Sequence, residues 1–510
     1  MICAVGPLRG PRRPKRGASP PRPRGYLSQD ERVAMTLVDL SASDLSRMIA
    51  ARQVAPSEVM ADHLARIGAV NGDLNAIISL RDPDDLMREA RLADDAPHPS
   101  WLHGLPLAVK DLLATKGLRT TYGSPLFADH VPDTDDLIVA RMRAAGAIII
   151  GKTNTPEWGH GSHSFNPVHG VTRNPYDLSR TAGGSSGGAA AALAARMVPV
   201  ADGSDMMGSL RNPAAFCNIY GFRPSWGLVP GDAVGDTFMA TLATEGPMAR
   251  TVEDIARLLQ VMAGENPEVP FGRAAQPYAD RLAPDLRGKR IGWLGDWGGA
   301  YRLEPGIAAL CETALRVFED QGAIVDPVPP PFSARALWQA WTTLRAMLNA
   351  GAKGDLYADP ISRAQLKPET QWEVEQGLSL SAAAVHAASV TRSQWYACAA
   401  RLFQTYDALV LPSAQVWPFP ADWRWPQSIN GNAMDTYHRW MEVVIPVSLA
   451  GLPALALPAG FGTQGLPMGM QLFGPTGADA RILAMGQAYH LATDWPGRQP
   501  PVLSIARHQP

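Results

Sequence analysis

The chain has 510 residues, room for two or three ordinary domains or one large α/β unit. With 46% hydrophobic and 18% charged residues it can bury a sizeable core, which excludes a fibrous or globally disordered polymer. A formal charge of −2 gives no whole-chain footprint for nucleic acid or an anionic membrane and favours a small or neutral partner.

The first 26 residues, MICAVGPLRGPRRPKRGASPPRPRGY, carry seven Arg or Lys, no acid and no apolar stretch for export. Residues 1–34 read as a disordered arm or, since a globular pattern starts at Met35, as a start-site artefact. A transit or nucleic-acid-binding tail is the alternative. Past Leu40 the pattern turns helical: Ser41 and Asp44 have capping-box spacing, and Leu45, Met48 and Ile49 share a face. A second helix follows Pro56. LPLAV (105–109) and AIIIG (147–151) read as strands with a helix between them, and AAAALAARM (189–197) as a helix by propensity. RIGWLG (290–295), AIVDPV (323–328) and ALVLP (408–412) read as strands, and the segments around 305–320 and 478–492 as helices. Such alternation predicts an α/β layer architecture with a largely buried sheet. Between 335 and 440 the period breaks and tryptophan is dense, so an irregular cap is expected there. The apolar run Val443–Gly460 is broken by Pro446, Gly451, Pro453 and Pro458, which favours buried strand and turn over a membrane span. Cys3, Cys217, Cys311 and Cys398 are scattered without CxxC spacing, which argues against disulfides or zinc and for a reduced, cytoplasmic setting.

The informative stretch is Thr181–Pro230. Two small-residue loops, GGSSGG (183–188) and SDMMGS (204–209), each present serines, and upstream a lysine ends the strand of GLPLAVKD (104–111). Alone, GGSSGG reads as a turn. A phosphate cradle would need a following Lys-Ser/Thr, which is missing. Gly184, Ser186 and Gly188 satisfy G-x-S-x-G, but a nucleophile elbow needs a buried strand just before it, and NPYDLSRTA is polar and turn-like. A lone strand-end lysine is ordinarily a solvated charge. Cys217 reads as a small buried hydrophobe rather than a thiol nucleophile. The eleven histidines form no pattern with an acid and a serine, and read as structural or surface residues.

Taken together, these segments resemble the amidase signature family, with further matches in GKTNTPEW (151–158), GFRPSWGLVP (221–230), GPMARTVEDIA (246–256) and GLPMGMQLFGP (465–475), over about residues 37–492. The resemblance implies one large α/β domain over 35–500, a mixed central sheet flanked by helices on both faces. It makes Ser209 the nucleophile, Ser185 the bridging serine, with a cis peptide after Gly184, and Lys110 the base. It also implies an oxyanion hole from the backbone N–H groups of Met206, Met207, Gly208 and Ser209. Ser186 is expected to hydrogen-bond within the site or to play a plain loop role, and Asp205 and Arg211 to pair or brace the nucleophile loop rather than act chemically. Met207 stands where the family commonly has Gly, so a side chain there narrows or lines the acyl pocket. The chemistry is consistent with those roles: a serine hydroxyl needs a group to take its proton, and lysine can do so only when neutral, which requires desolvation to lower its pKa from about 10.4. No cofactor or metal is implied. The expected partner is a small-molecule amide, with no nucleic acid or membrane and a homodimer left open. Nine of the fourteen tryptophans lie beyond residue 330 and suggest an apolar wall, hence a hydrophobic or aryl amide, a carbamate or a synthetic amide oligomer, with esterase side activity. Two other readings compete: the A subunit of a tRNA-dependent amidotransferase, and a non-catalytic binding protein on the same fold.

Overall fold

Strand pairing brings the lysine and the two serine loops to one end of a single sheet. The computed structural model describes residues 36–98, 100–283 and 285–503; the basic arm and Cys3 lie outside them. Among the described residues, eleven strands form the main sheet: β1 (Ile77–Ile78), β2 (Pro106–Lys110), β3 (Ile148–Thr153), β4 (Val200–Asp205), β5 (Tyr220–Arg223), β6 (Thr244–Ala249), β7 (Arg290–Trp293), β8 (Ile324–Pro327), β9 (Ala408–Pro412), β10 (Ala454–Phe461) and β11 (Pro467–Phe473). They pair in the order β1-β3-β2-β4-β6-β5-β10-β11-β9-β7-β8. The sheet is mixed. Strands β3, β2 and β4 run parallel, as do β9, β7 and β8, while the pairs from β4 to β9 through the middle are antiparallel. Because β2 and β4 are parallel neighbours, Lys110 and Asp205 end their strands on the same side.

Alternation along the strands buries both faces. Leu107 and Val109 point into one core cluster and Ala108 into another; Ala408 and Val410 face the first, and Leu409 and Leu411 a third. Helices cover both sides, as expected. Helix α1 (Ala42–Ala50) starts where Ser41 Oγ accepts the Asp44 amide at 3.0 Å, and α2 (Pro56–Leu74) has its proline at the first turn. Helix α3 (Gly187–Ala194) is buried all round, since Gly and Ala let it lie close to the sheet beside Ala108, Ile150 and Ala201. Helix α4 (Arg211–Phe216) continues the second serine loop.

Two expectations need correction. The segment from 335 is not irregular: α5 (Ala334–Ala358), α6 (Pro368–Leu378) and α7 (Ala382–Leu402) fill it as far as Leu402. Its period was hidden because Arg345 and Asn349 share the buried stripe of α5 with Leu337, Trp341 and Leu344. The run from Val443 is not strand throughout either; a short helix, Ile445–Ala450, ends at Gly451 in the left-handed region before β10 begins. Five strands went unread: β1 because it is only two residues long, and β4, β5, β6 and β11 because Gly, Pro and polar residues interrupt them. Among the described residues, no helix is long and apolar enough to cross a membrane.

Candidate active site

Lys110 is the last residue of β2 and is 0% exposed. Its Nζ lies 2.8 Å from Ser185 Oγ, 2.9 Å from Ser186 Oγ and 2.7 Å from Ser204 Oγ. That tripod suits both protonation states. An ammonium donates to all three hydroxyls, whereas a neutral amine donates to two and accepts a hydrogen bond from the third. Burial pushes the Lys110 pKa down, against the opposing pull of Glu245, Asp202 and Asp205.

Ser185 and Ser186 reach the lysine because their loop is pinned. The Gly184–Ser185 peptide is cis, as the resemblance implied. Ser162 Oγ donates to the Gly184 carbonyl, and the Gly187 amide donates to Ser164 Oγ at 3.1 Å. Gly183 holds φ +77 against Pro213, a position that admits no other residue without strain. Ser186 is fully buried and turned inward to Lys110 and Ser204, so it is not presented as an elbow nucleophile would be. The polar stretch before GGSSGG forms a separate hairpin, Arg173–Asn174 with Asp177–Thr181, outside the main sheet.

Ser209 is 7% exposed and lines a cavity of about 210 Å³ together with Ser185 and Ser204. The Ser186 amide donates to the Ser209 carbonyl at 3.3 Å and ties the two loops. The hydrogen-bonded line runs from Lys110 to Ser185 and stops short of Ser209; such links commonly tighten only with substrate in place. Asp205 braces the loop that carries Ser209 from beneath. It accepts from Arg211 Nε and Nη2, both at 2.9 Å, from the Gly208 amide at 2.9 Å and from the Leu210 amide at 3.2 Å. Arg223, which sequence reasoning missed, donates to the same carboxylate at 3.2 Å. Burial alone would raise the Asp205 pKa; Arg211, then Arg223, instead carry it well below the usual carboxylate range.

One expectation about this loop changes. The Gly208 N–H is engaged by Asp205, which leaves the amides of Met206, Met207 and Ser209 as the donors without a protein acceptor among the described residues. Met207 is buried and lines the cavity, so its side chain does shape the pocket. Cys217 is buried with its thiol pKa pushed up, an inert group.

The tryptophan wall is not where it was expected. None of the nine tryptophans beyond residue 330 lines this cavity: Trp338, Trp341, Trp395 and Trp440 are core, and Trp417 and Trp423 line a separate groove of about 800 Å³. The apolar walls are Leu112, Trp158, Met206, Met207 and Met441 instead. Polar groups that the sequence did not single out also line it, including Ser204, Glu245, Arg345, Asn349, Lys353 and His160. Glu245 lies directly across the strand pair from Ser204; among the described residues its buried Oε2 has no hydrogen-bond partner, and burial pushes its pKa up. Among the described residues no cluster of His, Cys, Asp and Glu could hold a metal ion.

The family model described as Amidase matches residues 58–483. The chain is 34% identical to the A subunit of the glutamyl-tRNA(Gln) amidotransferase of Roseiflexus sp. (strain RS-1), over 91% of this chain and 99% of that one. It is 31% identical to an acylamidase of Rhodococcus erythropolis, over 90% and 97%. Among solved structures, a bacterial aryl acylamidase of the amidase signature family superposes with a TM-score of 0.83 at 29% identity, over 90% of this chain and 99% of that one.

Proposed function

This chain belongs to the amidase signature family and is a hydrolase of amide C–N bonds, and from that premise we propose that it cleaves them through an acyl-enzyme on Ser209, with Ser185 as relay and Lys110 as base. The observation that carries this reading is the buried amine of Lys110, 2.8 Å from Ser185 Oγ on the floor of the cavity that Ser209 lines. Ser209 Oγ attacks the amide carbon while its proton passes to Ser185 Oγ and the Ser185 proton passes to Lys110 Nζ. The carbonyl oxygen becomes an oxyanion within reach of the Met206, Met207 and Ser209 amides, each such donor worth about 2.7–4 kcal/mol in the transition state. The proton then returns through Ser185 to the leaving nitrogen, the C–N bond breaks and an amine departs. Water enters by the same relay and releases the acid.

The preferred substrate is a hydrophobic or aryl amide, extending to carbamates, synthetic amide oligomers and, as a side activity, esters. The apolar walls formed by Leu112, Trp158 and the three methionines support this, as does the likeness to acylamidases. The test is to quench the purified chain during turnover of an aryl amide, weigh the intact protein and map the adduct. An acyl group on Ser209 is the expected result, and an adduct elsewhere would refute the assignment. A second reading, that the chain works as the A component of an amidotransferase, is favoured by the relatives that bear that name. It expects hydrolysis only with the other components present, so turnover by the chain alone removes it.

A lysine base also sets the pH dependence. Only the neutral amine accepts a proton, so kcat/KM rises with pH on an acid limb whose midpoint lies well below about 10.4. The Glu245 carboxylate favours the ammonium form. Glu245→Gln therefore moves that limb to lower pH, and a pH profile of kcat/KM that shifts upward instead refutes lysine as the base.

A further inference from the structure

Helix α5 turns one face into the cavity above Ser209 and carries Arg345, Asn349 and Lys353 there, four residues apart and so aligned along the helix. Two of the three are already engaged. Arg345 donates to Glu373 Oε1 at 2.6 Å and to Tyr437 Oη at 2.7 Å, so a buried carboxylate matches its charge. Asn349 donates to Glu373 Oε2 at 3.0 Å, and its Oδ1 meets His160 Nε2 at 2.9 Å. Lys353 differs. It has three N–H donors, and among the described residues its one hydrogen bond is a long one, 3.4 Å to the Asn349 oxygen that His160 already uses. No carboxylate among the described residues forms an ion pair with it. Glu245, the acid of this cavity, sits beside Ser204 at the Lys110 end.

The ammonium stands 5.7 Å from the ring centre of Trp158. That ring is a fixed plate: it stacks on Tyr122 at 5.2 Å with the planes 8° apart, and Phe127 meets it edge-on. Trp158 holds φ +53, a left-handed conformation that bulky residues rarely adopt. Next to it, the Glu157 carboxylate is tied to Ser124 Oγ at 2.9 Å and to the Lys367 amide at 2.7 Å. Burial, then the nearby Arg345, push the Lys353 pKa down to about 8 against the pull of the Glu373 and Glu157 carboxylates, which leaves it cationic at pH 7.

We propose that the amide cleaved at Ser209 carries a carboxylate at the far end of an apolar segment lying along Trp158, and that Lys353 binds this carboxylate and so sets the substrate preference. The inference rests on the acyl-enzyme reading and narrows its hydrophobic or aryl substrate to an amphiphilic one. An anion answers the site better than a neutral acceptor does, because among the described residues no carboxylate touches this part-buried ammonium, Glu373 being taken up by Arg345 and Asn349, and a ligand carboxylate offers it two oxygens. Arg345 cannot take the role while Glu373 holds it.

Matched substrates test this. Pentanoyl and glutaryl para-nitroanilides place the carboxylate on the acyl side; acetanilide and para-acetamidobenzoate place it on the amine side. In one of these pairs the carboxylate member is favoured in kcat/KM by roughly 10- to 100-fold. Lys353→Met removes at least about tenfold of that ratio, and Lys353→Arg keeps most of it. Equal kcat/KM within both pairs, or a ratio that Lys353→Met leaves intact, overturns the inference. Calorimetric binding of the carboxylate substrates to the Ser209→Ala protein, with and without Lys353→Met, separates the two readings. Lys353-dependent binding in a chain whose acyl adduct maps elsewhere upholds the subsite and refutes Ser209. Acylation of Ser209 with no effect of Lys353 on binding does the reverse.

Discussion

Ser209→Ala abolishes amide turnover, with kcat falling roughly 10⁴- to 10⁶-fold while the melting temperature stays within a degree or two of the parent. The size follows from the division of labour proposed for the site. Without Ser209 Oγ there is no atom to acylate, and what remains is binding and the backbone donors of Met206, Met207 and residue 209. The fold tolerates the change, because Ser209 Oγ carries no hydrogen bond that holds the loop; Asp205 and Arg211 hold it from beneath. Lys110→Met falls nearly as far, since it keeps the buried volume but removes the amine from the tripod with Ser185, Ser186 and Ser204. The double variant is little worse than either single one, because base and nucleophile act as a unit. Steady-state rates on one anilide, with thermal melts on the same preparations, decide the matter. A Lys110→Met protein that keeps most of its activity, with the loss appearing instead at a buried histidine such as His160, would overturn the lysine mechanism.

What the chain spells locally was legible, and what register alone joins was not. Lys110, Ser185 and Ser209 sit in short glycine-framed stretches whose order and spacing are characteristic, and strands such as Pro106–Lys110 and Ile148–Thr153 are plain apolar runs. Ser204 and Glu245 carry no such signature. They meet because β4 and β6 pair antiparallel with Glu245 opposite Ser204, a fact of sheet register rather than of composition. Arg223 is invisible for the same reason, arriving beneath the Ser209 loop from β5. The tryptophans misled because aromatic density marks a packed core as readily as a binding wall: Trp341, Trp395 and Trp440 fill the space between the sheet and helices α5 and α7. The plate that does line the cavity, Trp158, lies far upstream in a segment where one tryptophan attracts no notice.

Asp205→Asn lowers folding stability by about 3–5 kcal/mol, the largest stability effect expected in this site. Asp205, Arg211 and Arg223 are all fully buried, so solvent does not screen the charges they exchange. Removing the carboxylate charge leaves two guanidinium groups in the core. Arg211 keeps the Gln471 oxygen at 2.5 Å and Ser448 Oγ at 2.6 Å, and Arg223 keeps the Leu242 carbonyl at 3.0 Å, but none of these is an anion. The same carboxylate accepts the Gly208 and Leu210 amides, so the loop that presents Ser209 loosens and kcat falls as well. The sign of the pH dependence is set by the direction of the Asp205 shift. A carboxylate whose pKa lies lower in the folded than in the unfolded chain contributes its full stabilisation above about pH 4, and loses it as pH falls further. The gap between parent and variant is therefore constant from pH 5 to 8 and narrows in acid. Urea midpoints of the two proteins at pH 7 and at the lowest pH where both still fold measure it. A gap that widens in acid, or one below about 1 kcal/mol at pH 7, would mean that the paired charges do not hold this loop.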